Sequence, residues 1–104
     1  MIEINDGNLQ AEILDADKLA VLDFGSTGCQ PCKRLEPILD ELAGEYTDKI
    51  IIGHCDVGRG PNIARQFAVM AVPTVIFFKG GKEVERFMGA KSKEQVIELF
   101  DKHL

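Results

Sequence analysis

The most constraining feature of the sequence is a change in the spacing of its apolar residues across the first half of the chain. Residues 18–25, KLAVLDFG, form a short, almost continuously apolar run, which is typical of a strand buried on both faces. Between residues 35 and 46, apolar side chains recur at i, i+3, i+4, i+7, i+8 and i+11, which predicts an amphipathic helix. Residues 49–57, KIIIGHCDV, predict a second buried strand. A strand, a helix and a strand in this order predict a βαβ unit.

The second half of the chain predicts two further strands joined by a tight turn. Residues 72–78, VPTVIFF, and residues 83–89, EVERFMG, are rich in β-branched and aromatic residues. The segment between them contains Gly80 and Gly81, which suit a hairpin turn. A hairpin added to a βαβ unit predicts a mixed sheet.

Three shorter helices are predicted from the residues at their starts. Pro61 suits the first position of a short helix. Ser92, followed three positions later by Gln95, forms a capping-box pattern that begins the last helix. A first helix is expected over residues 8–15, with Asn8 as its N-cap.

The predicted elements fit a single domain over residues 1–104. The chain has 104 residues, of which 45% are hydrophobic, and no linker or repeat interrupts it. That is enough apolar material to bury a core without covalent staples. We therefore expect an α/β fold with a central mixed β-sheet flanked by helices.

Charge and cysteine content narrow the classes of function. A formal net charge of -5 argues against nucleic acid or an anionic membrane surface as a partner. The first residues carry acids and no apolar leader, which predicts a cytoplasmic protein. Three cysteines, an odd number, fit poorly with a secreted domain held together by disulfides.

The stretch FGSTGCQPCK places Cys29 and Cys32 at the turn between the first long strand and the helix. Unpaired backbone N–H groups and the helix dipole stabilise an anion at a helix N-terminus, and hence the thiolate of Cys29. Cys32 follows one turn later, where it can attack a mixed disulfide formed on Cys29. The spacing favours a redox-active pair.

A metal site is the first alternative use of the two cysteines. It needs two further ligands, and the candidates are His54 and Cys55. Because adjacent residues of a strand point to opposite faces, these two cannot easily reach one ion. We therefore expect no metal at the cysteines. The second alternative, that the cysteines only fill space, is opposed by Pro31 and the preceding Gly28, which indicate a shaped turn.

Five segments along the chain carry a family likeness. They are VLDF before the cysteines, CQPCK at them, EPILDELA along the helix, AVPT before the third strand and FFKGGKEVERFMGA after it. In this order and spacing the chain resembles the thioredoxin family nearly end to end. The resemblance implies the thioredoxin fold, and protein-disulfide reduction by dithiol–disulfide exchange. It also implies that the disulfide is the only redox group, with no bound cofactor.

The resemblance assigns roles to three residues of the redox centre. Cys29 would be the attacking thiol and Cys32 the resolving thiol. Asp23 would be the family's buried acid, which helps to remove the proton from Cys32. The residues themselves agree, because Asp23 is the one charge within an apolar run, where burial raises the pKa of a carboxyl group and lets it act as a base. An exposed carboxylate on the strand is the other interpretation of Asp23.

The resemblance also implies a substrate groove beside the cysteines. Pro73 would be the family's cis-proline, and Val72 would offer its backbone to an extended substrate. Gly28, Gly89 and Ala90 would complete the groove.

The chain departs from the family at several positions. Gly25 and Gly28 stand where thioredoxins usually carry tryptophan, and the chain has no tryptophan. Gln30 replaces the usual glycine between the cysteines. His54 replaces the family's lysine near the buried acid, and a titratable histidine would tune the pKa of Asp23 differently from a fixed cation.

We expect a monomeric reductase of protein disulfides. Its electrons would come from a thioredoxin reductase, either a flavoprotein that uses NADPH or a ferredoxin-linked enzyme, and its clients would be disulfide-containing proteins. A thiol oxidant or isomerase with the same chemistry is one alternative, because the residues between the cysteines influence the stability of the disulfide. A non-catalytic binding module built on the thioredoxin fold is the other.

Overall fold

Strands and helices alternate along the chain except for two consecutive strands before the last helix, and the computed structural model describes all 104 residues. Five strands, three α-helices and one short π-helix are present. In chain order they are β1 (Ile2–Glu3), the π-helix (Gln10–Leu14), β2 (Leu19–Gly25), α1 (Gln30–Glu45), β3 (Ile50–Asp56), α2 (Pro61–Gln66), β4 (Thr74–Lys79), β5 (Lys82–Met88) and α3 (Lys93–His103). The predicted βαβ unit corresponds to β2, α1 and β3.

The five strands form one mixed sheet in the spatial order β1-β3-β2-β4-β5. β1, β3 and β2 are parallel, whereas β4 runs antiparallel to both β2 and β5. Every residue of the central strand β2 is buried, as its continuous apolar run predicts. The α/β class and the mixed sheet are therefore confirmed.

Two hydrophobic clusters cover the two faces of the sheet, and β2 contributes alternate residues to each. Leu19 and Val21 face α1 and α3, whereas Ala20, Leu22 and Phe24 face the π-helix and α2. This alternation places the next odd-numbered residue, Asp23, on the face covered by α1. The helices contribute Leu35, Leu39, Leu42, Val96 and Phe100 to the first cluster, and Ile13, Ile63 and Ala64 to the second.

The N-terminal helix differs from the prediction. The predicted helix over residues 8–15 is a π-helix, Gln10–Leu14, and it begins without a side-chain cap. The Asn8 Oδ1 accepts the Asn5 N–H at 2.8 Å, while Asn5 Oδ1 accepts the N–H groups of Gly7 and Asn8. The prediction that Asn8 caps the helix is therefore wrong, because the side chains of both asparagines bind backbone groups of the turn before the helix.

The starts of α2 and α3 are as predicted. Pro61 is the first residue of α2. Ser92 accepts the Gln95 N–H at 3.2 Å, and the Gln95 side chain accepts the Ser92 N–H at 3.0 Å. The complete capping box orients α3, whose Val96 and Phe100 are buried against the sheet.

Ser92→Ala should lower the free energy of unfolding by about 1 kcal/mol, because the N–H of Gln95 loses its acceptor. Urea unfolding of the oxidised protein measures the change. Ser92→Asp, which keeps an acceptor at the N-cap, is the matched control and should stay close to the original protein. Equal losses in both variants would contradict a capping role.

Candidate active site

The two cysteines lie at the start of α1 and differ in their access to solvent. Cys29 is the N-cap residue and is half-buried, whereas Cys32 lies one turn into the helix and is almost fully buried. The two sulfurs form a disulfide, with Cα atoms 5.3 Å apart. An accessible sulfur followed by a shielded one suits a pair in which only the first meets another molecule.

The helix N-terminus supplies the electrostatic conditions for a thiolate at Cys29. Pro31 lies in the first turn, where its missing N–H costs no hydrogen bond. The Cys32 backbone N–H donates to the Cys29 sulfur at 3.2 Å. This donor and the positive end of the helix dipole both favour negative charge on the Cys29 sulfur.

The segment before β4 lies at the same end of the sheet as the C-terminal end of β2. The Val72–Pro73 peptide bond is cis, as the resemblance implied. Thr74 pairs with Phe24 in β2, and the Pro73 carbonyl accepts the Gly89 N–H at 2.9 Å. The backbone N–H and carbonyl of Val72 make no hydrogen bond within the chain, so they remain available to an extended partner.

Asp23 lies inside the protein on the face of β2 that α1 covers. Its side chain is 1% exposed, and neither carboxylate oxygen has a hydrogen-bond partner. Burial raises the pKa of Asp23 to about 7, the positive charge of His54 opposes this rise, and the negative charges of Glu36 and Asp40 add to it. The carboxyl group therefore changes protonation near neutral pH.

His54 is the neighbour of Asp23 across the parallel pair β2 and β3. The His54 Nδ1–H donates to Glu3 Oε1 at 2.9 Å, and His54 Nε2 lies 3.8 Å from Glu36 Oε2. Nε2 is buried and has no hydrogen-bond partner. The imidazole thus binds an exposed carboxylate on β1 and lies beside the buried Asp23 without a hydrogen bond to it.

Sequence reasoning missed the two glutamates of this site. Glu36 follows Cys32 by four positions, so helical spacing places both on one side of α1. The sequence therefore contains a signal that predicts Glu36 beside the cysteines. Glu3 reaches His54 only because the two-residue strand β1 pairs with β3, and the sequence carries no clear signal for so short a strand. The donor atoms of Asp23, Glu36 and His54 lie within 4.8 Å of one another.

Cys55 lies on the opposite face of the sheet from this site. It is fully buried in the cluster with Phe24 and Ile63, and burial raises the pKa of its thiol to about 11. The predicted separation of His54 and Cys55 is present, so they do not form a common set of metal ligands. A protonated, buried thiol packs as a small apolar group.

Known proteins match the chain along nearly its whole length. The family model for thioredoxin matches residues 1–102. The chain belongs to the thioredoxin family. It is 42% identical to thioredoxin 2 of Chlorobaculum tepidum over 98% of this chain and 94% of that protein, and 41% identical to thioredoxin of Staphylococcus haemolyticus over 100% and 98%. It is also 38% identical to the bifunctional thioredoxin reductase/thioredoxin of Mycobacterium leprae, over 92% of this chain and 21% of that protein.

Membership in the family and the Cys29–Cys32 disulfide make this chain a thioredoxin-type dithiol–disulfide reductase. The fold and the type of reaction predicted from the sequence are confirmed. None of its helices is both long enough and apolar enough to cross a membrane.

Asp23→Asn should stabilise the protein increasingly as pH rises. The raised pKa means that the folded protein keeps a proton which the unfolded chain releases, so Asp23 destabilises the fold progressively from about pH 4 to about pH 7. The gain in the free energy of unfolding at pH 8 over that at pH 4 should approach, at most, about 4 kcal/mol. Urea unfolding of the oxidised protein at both values measures it.

Asp101→Asn is the matched control, because Asp101 is an exposed carboxylate on α3. Its effect on stability should be nearly the same at both pH values. If the effect of Asp23→Asn is equally independent of pH, the pKa of Asp23 is the same in the folded and the unfolded chain. Its assignment as an acid whose pKa is raised by burial is then wrong.

Proposed function

We propose that Cys29 is the attacking thiol of this reductase and Cys32 the resolving thiol. The Cys29 thiolate attacks a client disulfide, forms a mixed disulfide and releases one client thiolate. The Cys32 thiolate then attacks the Cys29 sulfur, releases the second client thiol and leaves the Cys29–Cys32 disulfide. Two electrons pass to the client. The observation that carries this assignment is the unequal exposure of two bonded sulfurs at one helix N-terminus.

We propose that Asp23 takes the proton from the Cys32 thiol during resolution. Its support is the burial of the carboxyl group and a pKa of about 7, at which it can accept and release a proton under neutral conditions. His54 would tune this pKa, because its positive charge favours the ionised form of the neighbouring Asp23.

Clients would bind as extended segments beside the cis-proline. The free backbone groups of Val72 support a short strand-like pairing, and Pro73 holds that segment against β5 through its hydrogen bond with Gly89. Gly28, exposed directly before Cys29, would let a client approach the sulfur without a side chain in the way. Main-chain pairing of this kind depends on the backbone of the client rather than on its side chains.

Oxidised protein would be returned to the dithiol form by a thioredoxin reductase. Support for this partner comes from the Mycobacterium leprae relative, whose name joins both activities in one chain. We propose a flavoprotein using NADPH or a ferredoxin-linked enzyme as that reductase. We further propose a cytoplasmic monomer of one domain that transports electrons through its own disulfide, with no other cofactor.

Cys32→Ser should trap clients on Cys29. The variant can form the mixed disulfide but has no thiol to resolve it, so a disulfide-bonded peptide should accumulate as a covalent adduct. Mass spectrometry under non-reducing conditions detects the adduct. Cys55→Ala is the matched control and should turn over without trapping. A Cys32→Ser protein that forms no adduct would identify a binding module without exchange activity.

The midpoint potential of the cysteine pair should lie near that of thioredoxins, about −270 mV. The protein is equilibrated in dithiol buffers of known potential, and its free thiols are counted by alkylation and mass. A value between about −180 and −120 mV, the range of isomerases and oxidants, would show that Gln30 and the missing tryptophans have changed the direction of the reaction.

A further inference from the structure

Metal-ligating side-chain atoms from three elements surround a space beside Gly25 that is narrower than a Cβ atom would need. A Cβ atom on this glycine would lie 3.3 Å from His54 Nε2, 3.4 Å from Glu36 Oε2 and 3.5 Å from Cys32 Sγ. A carboxylate oxygen of Asp23 lies within 4.8 Å of the donor atoms of His54 and Glu36. One imidazole nitrogen, two carboxylates and one sulfur therefore converge where the chain has no side chain of its own.

The buried polar atoms around this space have no hydrogen-bond partner within the protein. Both oxygens of Asp23 and the Nε2 of His54 are buried without a hydrogen bond, and Asp23 as a whole is only 1% exposed. Buried polar atoms are nearly always paired, because leaving them unpaired costs free energy. When His54 is neutral and Asp23 is ionised, the lone pairs of Nε2 and of the carboxylate lie within 4.8 Å of each other without a donor, which is a suitable environment for a cation.

The orientation of His54 suits a metal ligand. Its Nδ1–H donates to Glu3 Oε1 at 2.9 Å, which holds the ring and leaves the lone pair of Nε2 directed into the space. Metal-binding histidines commonly use a carboxylate in this way to hold the ring and its tautomer. Glu3 would therefore orient the ligand without contacting the ion.

We propose that the reduced protein binds one divalent transition-metal ion of the zinc class beside Gly25. The four ligands are the carboxylates of Asp23 and Glu36, the Nε2 of His54 and the thiolate of Cys32. A mixed set of nitrogen, oxygen and sulfur donors in fourfold coordination suits zinc. A nitrogen and an oxygen at zinc bond lengths lie roughly 3.3 to 3.5 Å apart in a tetrahedral site, so the 3.8 Å between His54 Nε2 and Glu36 Oε2 needs only a small closure of the two side chains.

An entry route and the local charge favour a cation. A cavity of about 160 Å³ opens beside the site and is lined by Ser26, Thr27, Lys33, Glu36, His54 and Asp56. Lys33 is the only fixed cation of this lining. Asp40 adds negative charge from α1, since it raises the pKa of Asp23 together with Glu36.

The oxidation state of the cysteines controls this site. In the disulfide form the Cys32 sulfur is bonded to Cys29 and only three donors remain, whereas reduction supplies a fourth. Binding to the reduced form releases to solvent the Cys32 thiol proton, together with any proton held by Asp23 or by His54 Nε2, and transfers no electron. The bound ion withdraws Cys32 and Asp23 from exchange. This inhibition rests on the proposed function, but the binding does not.

Cobalt(II) provides the direct test, because its absorption reports tetrahedral geometry and a thiolate ligand separately. Protein reduced under anaerobic conditions and freed of reductant is titrated with Co²⁺, followed by displacement with Zn²⁺. We expect one Co²⁺ per chain with a thiolate-to-cobalt band, and at least tenfold weaker binding in the oxidised protein. Equal binding by both forms, or a spectrum without the thiolate band, would overturn the proposed ligand set.

Variants separate this site from binding by the cysteine pair alone. Cys29→Ser keeps Cys32 and should retain the thiolate band, whereas His54→Gln and Glu36→Gln should each weaken binding at least tenfold. His103→Gln, which removes the chain's other histidine, is the matched control and should bind like the original protein. Loss of binding in Cys29→Ser with full binding in His54→Gln would place the ion on the two cysteines and refute the proposal.

Gly25→Ala tests the space while keeping all four ligands. Its Cβ would lie within 3.5 Å of three donor atoms, and Gly25 has no left-handed backbone that would strain an alanine. We expect at least tenfold weaker cobalt binding, and unchanged binding would contradict the location. Disulfide exchange by the original protein is measured in parallel, in the presence of a chelator. If the original protein exchanges disulfides but binds no metal, only the metal site is refuted, whereas absent exchange activity refutes the proposed function.

Discussion

The packing of α1 across β2 and β3 determines where the two cysteines and Glu36 lie relative to Asp23 and His54. Leu35, Leu39 and Leu42 on one side of the helix are fully buried against Val21 and Ile52 of the two parallel strands. Because a βαβ crossover returns the helix over the sheet, its N-terminus lies beside the C-terminal end of the first strand. The cysteines at the start of α1 therefore lie directly above the end of β2.

The same packing buries a carboxyl group that the fold would be more stable without. Asp23 occupies a position on β2 where the preceding residues of that face, Leu19 and Val21, are apolar. Its raised pKa expresses the cost of placing a charge there, and the surrounding hydrophobic contacts offset this cost. The chain thus loses stability at one position, where it holds a buried carboxyl group with a pKa of about 7.

Regular patterns in the sequence predicted most of the architecture. The apolar run of β2, the helical spacing of α1 and the capping box of Ser92 each reflect local constraints that tertiary contacts reinforce. The N-cap assignment of Asn8 failed, because a short polar side chain has several backbone groups within reach and the sequence does not show which one it binds.

The candidate site was predictable only in part, for a different physical reason. Cys29 and Cys32 are recognisable by their spacing, and Asp23 by its isolation in an apolar run. The cis bond before Pro73 was expected from resemblance alone, since a proline in a sequence does not reveal its isomer. Glu3 joins the site through the two-residue strand β1, for which the sequence carries no clear signal, whereas Glu36 joins it through its helical spacing from Cys32, which the sequence does contain.

The alternation of β3 has a consequence for the fidelity of folding. His54 and Cys55 are neighbours on this strand but point to opposite faces of the sheet. A register slip of one residue would exchange them and place a third thiol beside Cys32, where a wrong disulfide could form. The burial of Ile50 and Ile52 on one face and of Cys55 on the other opposes this slip, because it would move each of them to the wrong face. Because the sheet separates Cys55 from Cys32, Cys29 is the only cysteine that Cys32 can reach.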